Sequence, residues 1–246
     1  MFGINKRKKT KDISSRVLPV HIGLIMDGNG RWAKKRGLPR QAGHVMGAKT
    51  FRSIAKYCNK IGIRYLTCYA FSTENWSRPK EEVDAIMNLL YEYLCEVHIH
   101  KDENIKIVFI GDRSVLDPKI RAKMEETEQS GSDASGMVLN IAINYGGRDE
   151  ITNSVREIAA EVSSGKISVL DINEKTIEKH LYTSGQPPVD LIIRPSGEHR
   201  LSNFLIWQAA YAEYIFYDIL WPDFKPKHID MAVDEFSVRN RRFGGV

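Results

Sequence analysis

An acid, two glycines, an asparagine and an arginine crowd the segment Asp27-Gly28-Asn29-Gly30-Arg31-Trp32. The apolar stretch Ile22–Met26 precedes it. Glycines let the backbone turn sharply and bring N–H groups against a ligand. A helix beginning there adds partial positive charge, so the segment reads as a phosphate cradle. Asp27 would repel a bare anion. It fits if a divalent cation joins its carboxylate to phosphate. The plain alternative is that Asp27 caps a helix and the glycines only turn the chain. No Gly-Lys-Ser/Thr follows, so the segment is not a P-loop, and its glycine spacing does not fit the dinucleotide pattern.

Two further clusters share this polar character. Ser72-Thr73-Glu74-Asn75-Trp76-Ser77-Arg78-Pro79 offers neutral hydrogen bonds and one fixed charge before a helix that Pro79 can begin. Arg194-Pro195-Ser196-Gly197-Glu198-His199-Arg200-Leu201-Ser202-Asn203 places two arginines and serines around a flexible turn. Arginine suits bidentate phosphate recognition. Each cluster alone could be a capped helix start or a surface loop. Arg31, Arg40, Arg78, Arg194 and Arg200, with His44, exceed what one phosphate needs and suit two diphosphates. Glu213 lies in the apolar run Trp207–Phe216, where a carboxylate must be paired or metal-bound. It could pair with a rim arginine or complete a Mg2+ site with Asp27.

The elements that must position these residues alternate. Strands are expected at Val20–Met26, Tyr65–Phe71, Ile105–Ile110, Val138–Asn144 and Leu191–Arg194. Helices are expected near Ala42–Ile61, Lys80–His100, Pro118–Gln129, Arg148–Ser163, Glu174–Leu181, Phe204–Tyr211 and His228–Arg239. This order predicts an α/β domain with a mostly parallel sheet flanked by helices. Asp27, the Ser72–Asn75 loop, Asn144 and Arg194 all fall at the carboxyl ends of strands, where open parallel sheets bind ligands. Val83, Ile86, Leu90, Leu94 and Val97 share a helical face that Met87, Leu89 and Tyr93 widen. That stripe could be core or the wall of a lipid tunnel.

Composition narrows the function. The chain has 246 residues, 42% of them hydrophobic, enough for a sizeable core. Nothing in it marks a linker, a repeat, a membrane-spanning stretch or a signal peptide. Cys58, Cys68 and Cys95 are odd in number, fall in elements expected to be buried and lack metal-ligand spacing, which suits a reducing cytoplasm. The formal net charge of +5 is matched by residues 1–16, where Lys6, Arg7, Lys8, Lys9, Lys11 and Arg16 face only Asp12. A disordered basic tail (1–16) followed by one domain (17–246) is expected. With its excess charge on the tail, the folded body does not read as nucleic-acid binding. The tail serves solubility or attracts the chain weakly to an anionic membrane.

Taken together, the motifs resemble the cis-prenyltransferase family. The resemblance is carried by His21–Trp32, Gly37-Leu38-Pro39-Arg40 with Gly43-His44, Tyr69–Arg78, Leu139–Ala142 and Asn144–Arg148. It continues through Asp190–Phe204, Trp207–Phe224 and Arg241–Gly245. It implies a homodimer with a hydrophobic tunnel that condenses isopentenyl diphosphate onto an allylic diphosphate, farnesyl diphosphate being expected, with Z double bonds. Undecaprenyl diphosphate, precursor of a cell-wall lipid carrier, is the implied product. Asp27 and Asn75 are implied as catalytic, and Asp27 with Glu213 as Mg2+ ligands. Gly28, Asn29, Gly30, Arg31, Trp32, Arg40, His44, Ser72, Thr73, Glu74, Trp76, Arg78, Arg194, Arg200, Leu201 and Ser202 are implied to bind substrate. The Arg242-Phe243-Gly244 tail is implied to reach across the dimer. Met137, Leu139 or Phe109 could end the tunnel early. The aspartate-rich motif of the trans enzymes is absent. A shorter-chain synthase and a non-catalytic partner subunit are the alternatives.

Overall fold

The computed structural model describes residues 16–97 and 104–239. The basic segment before Arg16, the end of the helix expected to reach His100 and the Arg242-Phe243-Gly244 tail lie outside them. Six strands form one parallel sheet in the order β3-β4-β2-β1-β5-β6. They are β1 (His21–Ile25), β2 (Tyr65–Ser72), β3 (Ile105–Ile110), β4 (Met137–Tyr145), β5 (Leu191–Pro195) and β6 (Glu213–Tyr217). The helices are α1 (Asn29–Lys34), α2 (Arg40–Lys60), α3 (Lys80–Val97), α4 (Pro118–Ser130), α5 (Gly147–Ser163), α6 (Glu174–His180) and α7 (Pro226–Val238).

Strands β1 and β5 are buried throughout and β2 and β4 nearly so, as their continuous apolar runs require, whereas the edge strands β3 and β6 are only partly buried. Leu191 and Ile193 pack into one cluster with Ile54 and Phe51 of α2, Leu94 of α3 and Phe236 of α7. Ile192, between them, points the other way into a cluster with Tyr69, Tyr145, Phe204 and Leu205. Met137, Leu139 and Phe109 belong to the first cluster.

Two expectations fail locally. β6 was hidden in the apolar run around Glu213, because a five-residue edge strand leaves little periodicity. No helix forms over Phe204–Tyr211, which is a series of turns. Ser202, Asn203 and Leu205 take positive φ values of 51°, 64° and 46°, incompatible with a right-handed helix. Two smaller boundaries also shift. Arg16 belongs to the folded body, pairing with Asp230 and Asp234 of α7. Cys58 and Cys68 are buried thiols, but Cys95 is exposed. No described helix is long and apolar enough to cross a membrane.

The start of α1 depends on two glycines. Gly28 turns the chain at φ 110°, a conformation other residues rarely take. Gly43 lets α2 lie against α1: a Cβ there would stand 2.1 Å from the Asn29 carbonyl oxygen. Gly43→Ala is therefore expected to destabilise the protein by about 2 kcal/mol through overpacking. A thermal melt checks this, and an unchanged midpoint would show that α1 and α2 can separate without penalty.

Candidate active site

Parallel pairing brings the ends of β1 and β5 together, and with them Asp27 and Arg194. Asp27 Oδ2 accepts from Ser196 Oγ at 2.7 Å, Arg194 Nη2 at 3.0 Å and Arg31 Nη2 at 3.1 Å. Burial alone would raise the Asp27 pKa. The hydrogen bonds from Ser196 and Arg194 and the charges of Arg194 and Arg31 outweigh it, holding the carboxyl below its ordinary value. Asp27 is thus ionised near neutral pH. Arg194 is only 3% exposed and also donates from Nη1 to Ser202 Oγ at 2.9 Å and to the Arg200 carbonyl. Its Nε is buried without an acceptor among the described residues. A buried guanidinium donor left unpaired is the condition an incoming anion relieves.

A cavity of about 330 Å3 opens here. It is lined by Asp27, Gly28, Asn29, Gly30, Arg31, Arg40, His44, Ser72, Asn75, Arg78, Arg194, Arg200 and Ser202 of the expected set. Trp32, Thr73, Glu74, Trp76 and Leu201 are not among its lining residues. Trp32 lies on the buried face of α1, its indole donating to Asp223 at 2.8 Å with Arg36 stacked 4.2 Å above the ring. Trp76 donates to Asn144 at 2.8 Å and packs edge-on against Phe71. Glu74 accepts from Asn203 at 3.0 Å and from Thr73 at 3.2 Å, and Leu201 packs against the second cluster.

Glu213 does not join Asp27 within the chain. It opens β6 opposite Leu191, at the amino end of the sheet, whereas Asp27 follows the carboxyl end of β1. Its carboxylate accepts from Arg239 at 2.5 Å. Strand polarity therefore separates the two acids that the sequence suggested might share a cation. The donor set of Asp27 still fits a cation arriving with diphosphate. Its Oδ2 is fully engaged, and Oδ1 has no hydrogen-bond donor among the described residues. The set does not fit an all-protein cage: among the described residues no group of three or more His, Cys, Asp or Glu could hold a metal.

Sequence reading missed Glu82. This carboxylate, 7% exposed, sits in the first turn of α3 and meets Arg78 Nη1 at 3.1 Å, Arg40 Nε at 3.2 Å and His44 Nε2 at 3.3 Å. It gathers two of the cavity's arginines and His44. Its only sequence signal was its place in the first turn of a helix, four residues after Arg78. Asn75 is also held from behind: its Oδ1 accepts from the Ser72 backbone N–H at 3.2 Å, closing the 3₁₀ turn Thr73–Ser77.

A second, apolar cavity of about 120 Å3 adjoins the first, sharing Met26, Asn29, His44, Ala70 and Ile86 as lining. Phe51, Leu89, Leu90, Tyr93, Ile141 and Trp221 complete it. The α3 stripe thus divides. Val83 and Leu94 are core, while Ile86, Leu90 and Tyr93 face the cavity. Met137, Leu139 and Phe109 line neither cavity.

A parallel sheet with an arginine-rich cavity at its carboxyl edge, holding the carboxylates of Asp27 and Glu82, and an apolar pocket beside it defines an enzyme that handles diphosphates carrying hydrocarbon chains. The comparisons place it further. The family model described as "Putative undecaprenyl diphosphate synthase" matches residues 25–244, and the chain belongs to that prenyltransferase family. An isoprenyl transferase of Clostridium tetani is 49% identical over 93% of this chain and 90% of its own. The isoprenyl transferase of Bacillus subtilis is 46% identical over 98% and 93%. The crystal structure of lavandulyl diphosphate synthase from Lavandula x intermedia, in complex with dimethylallyl diphosphate, superposes with a TM-score of 0.90. It is 36% identical and covers 92% of this chain and 98% of that one. A probable undecaprenyl diphosphate synthase of Campylobacter jejuni gives a TM-score of 0.76 at 33% identity, with the same coverage. The chain is a cis-prenyltransferase.

Burial lowers the His44 pKa below its ordinary 6.5; the Glu82 carboxylate works in the opposite direction, and Arg78 and Arg40 lower it further. A base whose folded pKa is depressed binds fewer protons folded than unfolded below pH 6.5, so stability from this group is lost as pH falls from there. NMR titration should find His44 neutral at pH 7. Glu82→Gln should move its midpoint lower still; an upward or absent shift would contradict the pairing.

Proposed function

We propose that this site condenses isopentenyl diphosphate with an allylic diphosphate, farnesyl diphosphate as primer, forming Z double bonds and building undecaprenyl diphosphate. The observation that carries this is the division of basic side chains about Asp27. Arg40, His44 and Arg78 gather beside α1 and the apolar cavity; Arg194 and Arg200 stand on the β5 side. The first set suits the diphosphate whose hydrocarbon enters the apolar pocket. The second suits the diphosphate of the five-carbon nucleophile.

In this reading the backbone N–H groups at the start of α1, with Arg31, Arg40, His44 and Arg78, stabilise the negative charge that develops as the allylic diphosphate leaves. Asp27, through Oδ1, would hold Mg2+ against that diphosphate, which supplies further charge stabilisation when bound. Arg194, Arg200 and Ser202 bind isopentenyl diphosphate. Asn75 is no base near neutral pH. With Oδ1 committed to the Ser72 N–H, it offers its Nδ2–H donors to substrate and orients it. The proton lost after C–C bond formation then goes to a diphosphate oxygen or water. The growing chain gains about 25 cal/mol for each Å2 of apolar surface buried, which draws it along Ile86, Leu90 and Tyr93.

Homodimer assembly, and weak attraction of the basic N-terminal segment to an anionic membrane, belong to the same reading. The small apolar cavity, about 120 Å3, favours a second reading in which the product is shorter. Incubating the protein with farnesyl diphosphate, labelled isopentenyl diphosphate and Mg2+ and sizing the dephosphorylated chains separates the two. No incorporation by folded protein would turn the assignment to a non-catalytic partner subunit. Asp27→Ala should cut turnover at least about a hundredfold with the fold intact. Near-normal turnover, or an unfolded variant, would remove Asp27 from this role. Arg200→Ala should raise the KM for isopentenyl diphosphate about tenfold, since one charged hydrogen bond is lost. An unchanged KM would contradict its assignment.

A further inference from the structure

Ser196 stands in a conformation its residue type disfavours. Its φ is 100°, a region for glycine, yet the position carries a side chain that is 6% exposed. Three backbone contacts hold it there. Its N–H donates to the Ile219 carbonyl at 2.8 Å, and the next residue's N–H donates to the Tyr217 carbonyl at 2.8 Å. Its own carbonyl accepts from Arg31 Nη1 at 3.0 Å. Strain of this kind persists only where surroundings enforce it, and it gathers at functional sites. The conformation delivers the hydroxyl: Ser196 Oγ donates to Asp27 Oδ2 at 2.7 Å, the shortest of that oxygen's three hydrogen bonds.

A carboxylate held by two arginines alone could rotate about its terminal torsion and trade its oxygens between them. A third, uncharged donor on the same oxygen removes that freedom without adding positive charge beside the cation's place. Ser196 also links the two guanidiniums, since its carbonyl holds Arg31 while its hydroxyl meets the oxygen that Arg194 grips.

We propose that Ser196 is a positioning residue: strained into place by its loop, it locks Asp27 so that Oδ1 alone is offered to a divalent cation bound to diphosphate. This rests on the reading of the site as a metal–diphosphate site. Two variants separate strain from hydroxyl, because both lose the hydroxyl and only one keeps the strain. Ser196→Gly should melt about 2 °C or more above Ser196→Ala, as expected for relief of φ strain in a chain of this size. Both should lose function alike.

The functional readout is binding of farnesyl diphosphate alone, by calorimetry, with Mg2+ and with EDTA. In the wild type Mg2+ should tighten binding. In both variants that gain should shrink about tenfold, the loss of one hydrogen bond to a charged group, while the affinity in EDTA stays within about twofold. An undiminished Mg2+ gain, equal weakening in both conditions, or a glycine variant no more stable than the alanine one would overturn the proposal. Failure of the wild type to bind farnesyl diphosphate at all would instead overturn the proposed function.

Discussion

The carboxylate of Asp27, meeting the guanidiniums of Arg31 and Arg194, is the interaction on which the rest of the site depends. Arg194 ends a strand buried on both faces, and a charge so placed must be paired. Its partner comes from the neighbouring strand because β1 and β5 run parallel, Leu24 opposite Ile193, so both chains deliver their polar residues to the same edge. An antiparallel pair would have put them at opposite ends. The pairing keeps Asp27 ionised and engages one of its oxygens, and Arg194 Nε has no acceptor among the described residues. The site is therefore unsaturated toward both a cation and an anion. A diphosphate with a bound divalent ion satisfies both.

Glu82 does for the other side of the cavity what Asp27 does for this one. Arg40 and Arg78 repel each other, and Arg40 is 64% exposed, free to swing away without an anchor. A buried carboxylate in the first turn of α3 draws both together with His44. The same helix, one turn on, presents Ile86 to both cavities, and further turns add Leu90 and Tyr93 to the apolar one. Polar head and hydrocarbon are thus accommodated by successive turns of one element, which fixes the spacing between the reacting end and the pocket for its chain.

Much of this was legible in the sequence. The glycine turn at Gly28, the apolar strands and the arginines at strand ends follow from local composition and strand polarity. What stayed hidden depended on contacts between distant segments. Ser196 gives no sequence signal of strain; only the pinning of its loop to Ile219 and Tyr217 reveals it. Trp32 and Trp76 look like ligand-facing aromatics, yet each indole N–H finds a protein acceptor, Asp223 and Asn144, and neither residue lines the cavity. Glu213 looked like a second metal ligand because its apolar neighbours demanded a partner. Arg239, 26 residues later, meets that demand at the other end of the sheet. The Phe204–Tyr211 run was apolar enough for a helix, but the positive φ of Leu205 within it, and of Ser202 and Asn203 just before it, decided against it.

The most direct test of the central claim is a crystal structure of the protein with farnesyl diphosphate and Mg2+, without isopentenyl diphosphate. The account predicts the diphosphate at the start of α1, touching Arg31, Arg40 and the cation held by Asp27 Oδ1, with the hydrocarbon against Ile86, Leu90 and Tyr93. A diphosphate seated instead on Arg194 and Arg200, or a cation bound away from Asp27, would contradict it.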